Sequence, residues 1–225
     1  MAGFGLEAKD MSTISDVLAK SANSSTIGVQ ELGETFKYVS GVAKSAGISL
    51  QQIAASSAIL GNAGIKASQA GTTLKSVILN LSAPTKAGEN ALTKMGLSMR
   101  NLQDDAGNLK SLPEIFALLN DKAKGFTSTQ KADIFKDLFG AESLAGALAL
   151  MDKAEMKFNE TTGKMESDFT KMTDVMTNQS KGFAKQYGDA LSNNVSGQLD
   201  NLSSAVEEVF LSIWDVIKPV MSVLV

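Results

Sequence analysis

The residues that could carry out chemistry are few in this chain. Its 225 residues include no cysteine and no histidine, which removes thiol nucleophiles, Cys/His zinc ligands and the commonest general base. Glu207 and Glu208 are neighbours in sequence, so on a helix they point in different directions and cannot face one another as an acid/base pair. We therefore expect no catalytic residue, no cofactor and no metal ion, and we predict that the chain is not an enzyme.

Two short polar clusters resemble ligand-binding loops. Residues 61–66, GNAGIK, have some of the composition of a phosphate loop, but they lack the GxxxxGK(S/T) spacing and follow a predicted helix where a strand is needed. Asp104, Asp105 and Asn108 resemble part of a calcium loop, but the required glycine and the closing glutamate are missing. We interpret the first cluster as a helix stop and the second as a turn.

The composition favours closely packed helices. Hydrophobic residues make up 44% of the chain and aromatic residues only 6%, with a single Trp, so the core must be built from Ala, Leu, Ile, Val and Met. The net charge of −3 provides no basic footprint, and we expect no specific nucleic-acid binding. A chain without disulfides can fold in a reducing cytosol.

The strongest local pattern lies at residues 48–85. Ser49 is placed as an N-cap, and Gln52 three residues later completes a capping box. Gly64 lies where a left-handed residue would end this helix. A second helix is expected over about 66–81, and Pro84 prevents its continuation. The pattern predicts a tight helical hairpin. The apolar face of its second helix consists of Leu74, Val77, Ile78 and Leu81.

Other short helices, separated by glycines, are predicted on both sides of this hairpin. A helix over about 28–46 carries an apolar stripe that fits a core face or an oligomer seam, and its short length favours the core. Residues 97–112 alternate in hydrophobicity and then form a turn, so they fit a small β-hairpin. Pro113 and the Thr127/Gln130 pair mark two further helix starts.

The pattern changes after Asp152, where glycine and proline stops no longer divide the chain into short pieces. Apolar residues recur in steps of three and four, and a run of fours over 179–199 does not suit a strict seven-residue supercoil. We predict one long amphipathic helix of about 100 Å, or two helices with a break near 182–188 or 193–197.

This long apolar stripe is a candidate for self-association between copies, and an intramolecular core fits it equally well. Its positions are Met165, Phe169, Met172, Met176, Phe183, Leu191, Val195, Leu199, Leu202, Val206, Val209 and Ile213.

The C-terminal end is rich in large apolar side chains but does not fit a transmembrane span. Residues 205–225 contain four charged residues and Pro219, whereas a span needs about 20 predominantly apolar residues. Phe210, Trp214 and Ile217 are candidates for contact with a membrane or a partner. The alternative is a face that further sequence normally covers.

Together these features predict an all-α fold in which a multi-helix domain of short antiparallel helices precedes a long amphipathic helix. The small β-hairpin near 97–112 is the one expected departure from helix. The predicted divisions are a disordered entry or junction at 1–10, a compact helical domain at 11–151, a long helix or helical pair at 152–218, and the start of a hydrophobic segment at 219–225.

Several separated runs resemble one known family. GISLQQIAASSAILGNAGIKASQAGTTLKSVILNLSAPT at 47–85, ELGETFKYVSGVAKSAGISL at 31–50 and DIFKDLFGAESLAGALALM at 133–151 are similar to the core region of phage tail tape measure proteins. The runs DVLAKSANSS, APTKAGENALTKMGLSM and DDAGNLKSLPEIFALL agree in order and spacing. The resemblance covers most of residues 8–151 and is loose afterwards. It implies that the chain is a piece of a longer protein.

The resemblance also implies a structural role in phage or prophage tail assembly. Such a protein acts as a length ruler, occupies the lumen of the tail tube until DNA ejection, and is present in the host cytoplasm during assembly. The implied partners are other copies of the protein, tail tube and tail-tip proteins, tail assembly chaperones and, through downstream segments, the host membrane. The alternative is a helical membrane-active or secreted effector whose C-terminal tract binds a bilayer.

Overall fold

The computed structural model describes residues 10–194. This part of the chain contains ten α-helices and one two-stranded antiparallel β-hairpin, which confirms the all-α prediction. The helices are α1 Met11–Asn23, α2 Val29–Ser45, α3 Leu50–Asn62, α4 Ala67–Ser82, α5 Lys86–Lys94, α6 Leu112–Ala123, α7 Ser128–Phe139, α8 Leu144–Lys153, α9 Asp168–Asn178 and α10 Phe183–Asn194. The strands are β1 Lys157–Asn159 and β2 Lys164–Glu166.

Helix α3 lies at the centre of the fold, and almost all of its residues are buried. It starts as predicted, because the Ser49 side chain accepts a hydrogen bond from the Gln52 backbone N–H at 3.2 Å. The Gln52 side chain, however, accepts from the backbone N–H of Leu112 at 2.8 Å. It therefore satisfies an N–H at the start of α6 instead of closing a capping box. Small residues fill the middle of α3, so neighbouring helices can approach from several sides.

Helix α4 packs most extensively on α2, although it follows α3 in sequence. Its four predicted core residues, Leu74, Val77, Ile78 and Leu81, are all fully buried. The two helices are close because α4 presents a glycine: a Cβ added at Gly71 would lie 2.7 Å from the Thr35 carbonyl oxygen. The hydroxyl of Thr35 also donates across the interface to the carbonyl of Ala67 at 3.0 Å. The helical hairpin is present, but its second helix is held mainly by α2.

The predicted stripe on α2 belongs to the core. Leu32, Val39 and Ala43 are fully buried, while Val29 and Phe36 pack partly buried against the same core. Gly47 ends this stretch with a φ of 72°. The core interpretation is confirmed for this helix.

Residues 97–112 form a chain reversal without two regular strands. A short 3-10 turn occupies Met99–Leu102, and a single bridge joins Gln103 to Leu109. The hairpin expected here is therefore reduced to one pair, because the tight Asp104–Asn108 turn leaves little strand on either side. The two helix starts that follow are confirmed: Ser111 and Glu114 form the capping box of α6, and Thr127 and Gln130 form that of α7.

Four phenylalanines link helices α6, α7 and α9 in the core. Phe116 on α6 stacks on Phe139 of α7 with ring centroids 5.7 Å apart, and Phe139 contacts Phe135 at 6.3 Å. Phe169 on α9 reaches the same group, 6.2 Å from Phe116, and is 0% exposed. The core therefore continues past Met151 and includes α9.

The prediction of an unbroken helix after Asp152 is wrong for the described residues. The β-hairpin comes first, with Phe158 opposite Met165. Its turn is stabilised by the Asn159 side chain, which accepts from the N–H of Thr161 at 2.9 Å, and by Gly163 at a φ of 67°. A second break precedes α10, where Gly182 has a φ of 75°. The break falls at the edge of the interval 182–188 that the sequence indicated.

Candidate interaction surfaces

The polar clusters considered as ligand loops have local structural roles. Gly64 has a φ of 82° and follows the last turn of α3. Lys66 donates to the carbonyl oxygen of Thr26 and lies 3.8 Å from a Glu31 carboxylate oxygen. The helix-stop interpretation is confirmed, and the lysine ties the start of α4 to the segment before α2.

The Asp104 cluster is a turn. The Asp104 carboxylate accepts from the backbone N–H of Asn108 at 2.9 Å. This hydrogen bond holds the pKa of Asp104 below its ordinary value, although the group is exposed. Within residues 10–194, no group of three acidic side chains is placed to hold a metal ion.

The most exposed apolar surface in the described fold lies on the β-hairpin. Phe158 is 63% exposed, Met165 54% and Met156 41%. Phe158 and Met165 are opposite one another in the register, so their side chains project from one face of the hairpin. Met156 lies two residues before Phe158, just outside β1. We call these three residues the hairpin patch.

The opposite face of the hairpin is polar and organised around Glu166. Its carboxylate accepts from the Asn159 amide at 2.8 Å and from the Thr162 hydroxyl at 2.8 Å, and Lys171 lies 3.8 Å away. The hydrogen bond from Asn159 is the main reason that the pKa of Glu166 lies below its ordinary value. The hairpin thus has a defined conformation while its other face is left to solvent.

A second, smaller apolar surface lies on the outside of α2 and α4. Tyr38 and Leu79 are each 45% exposed, and together with Val42 they line a shallow groove. Lys37 and Lys75 flank the groove.

The contact between α10 and α1 includes two hydrogen bonds and a cation–π contact. The carboxylate of Asp16 on α1 accepts from the backbone N–H of Gly182 at 2.7 Å and of Ala184 at 3.0 Å. The Lys20 ammonium lies 4.5 Å from the ring centroid of Phe183, a cation–π contact. Asp16 therefore caps the start of α10 from a residue far away in sequence. We call this contact the α10 latch.

The structure separates the predicted self-association stripe into different environments. Met165 is exposed on the hairpin, while Phe169 and Met176 are 0% exposed in the core. Met172 packs partly buried against that core, and Phe183 lies partly exposed at the latch. The two buried residues are not available to another copy in this fold, because they already fill the contact between α9 and its neighbours.

The remaining predicted site residues lie at or beyond the end of the described part. Leu191 is in α10. Outside the described residues are Val195, Leu199, Leu202, Val206, Val209, Phe210, Ile213, Trp214 and Ile217. Within residues 10–194, no helix has both the length and the apolar content that crossing a bilayer requires.

Comparison with known proteins identifies the family. Residues 1–140 match the family model described as phage-related minor tail protein, which is more than half of the chain. The chain belongs to the phage-related minor tail protein family. The match to this family ends just after α7, so α8, the hairpin, α9 and α10 lie outside it.

Two curated relatives extend the comparison beyond the minor tail protein match. A protein of Pneumococcus phage Dp-1 named tape measure protein is 33% identical over 222 residues, which is 99% of this chain and 18% of the relative. A protein of Escherichia phage P2 named probable tape measure protein is 29% identical over 217 residues, which is 94% of this chain and 24% of the relative. The chain thus spans about a fifth of the length of these relatives. No solved structure matches it.

Sequence reasoning missed two features of this minor tail protein fold. The hairpin patch had a signal, since Thr161–Thr162–Gly163 is a turn sequence between two short polar–apolar–polar runs. The capping role of Asp16 had none, because its partners Gly182 and Ala184 are more than 160 residues away.

Proposed function

We propose that this chain is a segment of a tape measure protein that helps to set tail length while the tail tube assembles. The observation that supports the proposal is the similarity over 99% of the chain to a protein named tape measure protein. The role is structural and does not involve catalysis. The protein would occupy the tube lumen until DNA ejection and be made in the host cytoplasm.

In this proposal the described fold is a folded unit within an otherwise extended ruler. A helix converts residue number into distance at about 1.5 Å per residue, but residues 10–194 fold back on themselves and cannot measure in this way. The measuring part would begin at about residue 195, where the sequence predicts a continued amphipathic helix.

The proposed partners follow from the same role. Other copies of the chain would associate through apolar positions that the core does not bury. Tail tube and tail-tip proteins, together with tail assembly chaperones, would contact the assembled ruler, and downstream segments would contact the host membrane.

An insertion experiment in the phage that encodes this chain tests the ruler role. Two additional copies of residues 195–218 inserted after Lys218 of the complete protein should lengthen tails in electron micrographs by about 1.5 Å per added residue, roughly 70 Å in total. A control insertion of equal length between Thr161 and Thr162 enlarges the hairpin loop, whose two ends are held together, and should leave tail length unchanged. Equal effects of the two insertions, or no effect of the first, would contradict the proposal.

A further inference from the structure

The β-hairpin has features of a surface that is covered in the working state of the protein. A hairpin of two short strands is at best marginally stable on its own in water, and no helix within residues 10–194 packs extensively against this one. Yet it carries three of the most exposed large apolar side chains in the described fold, Met156, Phe158 and Met165. An unpaired strand edge beside exposed apolar side chains is a template for pairing with another strand.

Neither outer edge of the hairpin is paired with another strand of residues 10–194. Within the described part of the chain, β1 and β2 hydrogen-bond only to one another. Lys164 has no ion-pair partner there, although Lys157 lies 3.8 Å from a Glu155 carboxylate oxygen. The two edges differ in the charges that they would present to a second strand.

The β2 edge is complementary to itself. If two β2 strands pair antiparallel about Met165, Lys164 of each copy lies opposite Glu166 of the other. Since Lys157 is already opposite Glu166 within the hairpin, each polar row then runs lysine, glutamate, lysine across three strands. Opposite charges in directly facing positions stabilise strand pairs, and like charges destabilise them.

The β1 edge lacks this property. Pairing two β1 strands about Phe158 places Lys157 opposite Asn159, and the polar row then contains two lysines with no acidic residue between them. For pairing between two copies, the charges therefore favour the β2 edge over the β1 edge.

We propose that the β2 edge binds the β2 edge of a second copy of this chain, forming a four-stranded antiparallel sheet with Met165 at its twofold axis. The two hairpin patches then form one continuous apolar row, Phe158 and Met165 of one copy followed by Met165 and Phe158 of the other. This pairing rests on the proposed function, because it requires several copies of the protein to meet in the tail.

The pairing is weak for an isolated chain. Each facing pair contributes about 0.2–1 kcal/mol, and an interface formed by two short hairpins is well below the roughly 1,200 Å² of a standard stable complex. Copies that are already held side by side gain a high effective concentration, so a weak contact can still set their register.

Disulfide crosslinking of the full 225-residue chain tests the geometry, because the protein has no native cysteine. Two Met165→Cys copies paired as proposed have Cα atoms about 4.5–5.5 Å apart, within disulfide range. The matched control is Phe158→Cys on the same face, where the native residue is slightly more exposed than Met165. Its Cα atoms in the two copies would be about 14 Å apart across three strand spacings. Under mild oxidation the first variant should form covalent dimer at least tenfold faster than the second.

Every other result overturns the proposal. Equal rates indicate random collision, and faster crosslinking of Phe158→Cys indicates pairing through β1. Dimers seen by sedimentation without crosslinking of Met165→Cys indicate a different interface. Circular dichroism of both variants checks that the helical fold is retained.

A charge exchange separates the proposed register from nonspecific apolar contact. In the Met165→Cys background, Lys164→Glu and Glu166→Lys should each crosslink poorly alone, and an equimolar mixture of the two should recover crosslinking, because each lysine again faces a glutamate. Lys86→Glu on α5 makes the same charge change as Lys164→Glu at a side chain that is 84% exposed. It should have no effect on crosslinking. Failure of the mixture to recover, while Lys164→Glu alone crosslinks normally, would show that the charges do not set the register. These results are independent of tail length, so this inference and the ruler role can fail separately.

Discussion

Replacing Gly71 with alanine should destabilise the fold, although alanine is the better helix former. The added Cβ would lie 2.7 Å from the Thr35 carbonyl oxygen and 2.8 Å from the Tyr38 Cβ, whereas ordinary van der Waals contacts of a Cβ lie at 3.4–4 Å. The first obstacle is backbone and cannot rotate away. Helices α2 and α4 would have to separate by several tenths of an ångström, which also stretches the 3.0 Å hydrogen bond from Thr35 to Ala67.

The net effect follows from two opposing contributions. Overpacking costs about 1–3 kcal/mol, and the backbone obstacle at 2.7 Å places this site in the upper part of that range, at about 2–3 kcal/mol. Alanine in place of glycine inside a helix gains about 1 kcal/mol. The free energy of unfolding should therefore fall by roughly 1–2 kcal/mol in Gly71→Ala, which lowers the melting temperature by about 2–8 °C for a protein of this size.

Gly41 in α2 is the matched control for this change. It is also a helical glycine, but nothing lies within 4 Å of a Cβ built on it. Gly41→Ala should stabilise the protein by about 0.5–1 kcal/mol. Urea denaturation followed by circular dichroism measures both variants. If Gly71→Ala is as stable as the unmodified chain or Gly41→Ala, the close approach of α2 and α4 is not as described.

Three further predictions concern the latch, the hairpin and the core. Asp16→Ala removes both hydrogen bonds that cap α10, and loss of a cap costs about 0.5–2 kcal/mol. Amide exchange in α10 should therefore accelerate several-fold or more, while exchange in α3 stays constant. Asp133→Ala on α7 is the control, and equal acceleration in α10 and α3 would contradict a local latch. The pKa of Glu166 lies below its ordinary value of 4.5, so its stabilising contribution is present above that value and is lost as pH falls through the lowered pKa. In an NMR titration the side-chain signals of Glu166 should therefore change with a midpoint below its ordinary value of 4.5, and a midpoint above that value would refute the assignment. In urea denaturation, Phe169→Ala should lower the free energy of unfolding by about 3–5 kcal/mol. Asp168→Ala at the exposed neighbouring position should lower it by less than about 0.5 kcal/mol. A small effect of Phe169→Ala would mean that α9 does not complete the core.

Features that depend on neighbouring residues could be predicted from the sequence. Gly47 and Gly64 end helices because a left-handed residue is needed within one turn of the helix end. Thr127 caps α7 because its partner Gln130 is three residues away. In these cases the interacting groups and the signal lie in the same short window.

Features that depend on distant residues could not be predicted in this way. Gln52 has the spacing of a capping box, yet its side chain binds the backbone of Leu112, 60 residues later. Asp16 has the appearance of an ordinary surface carboxylate in α1, and only the folded chain brings it to α10. Long-range hydrogen bonds of this kind produce no periodic pattern in the amino-acid sequence.

The hairpin shows how one pattern can fit two structures. Phe158, Met165, Phe169 and Met172 follow one another at steps of seven, four and three, which is the spacing of a helical stripe. The strands are only three residues long, so their alternation is too short to outweigh that spacing. The local turn at Asn159 to Gly163 favours the β-hairpin over a helix. The hairpin patch, which the proposed assembly uses, therefore lies where the helical spacing of apolar residues gave the wrong prediction.

The two ends of the described fold lie side by side, with a mechanical consequence. The chain enters through α1 and leaves through α10, and these helices pack on one another. Tension applied to the two ends of this part of the chain would therefore act directly on α1, on α10 and on the contact between Asp16 and the start of α10. The 12 residues of α10 would unfold and extend while the rest of the fold stayed intact. Resistance to such a pull depends on the rate at which this contact opens and not on the equilibrium stability of the whole, so the fold would give way stepwise from its exit.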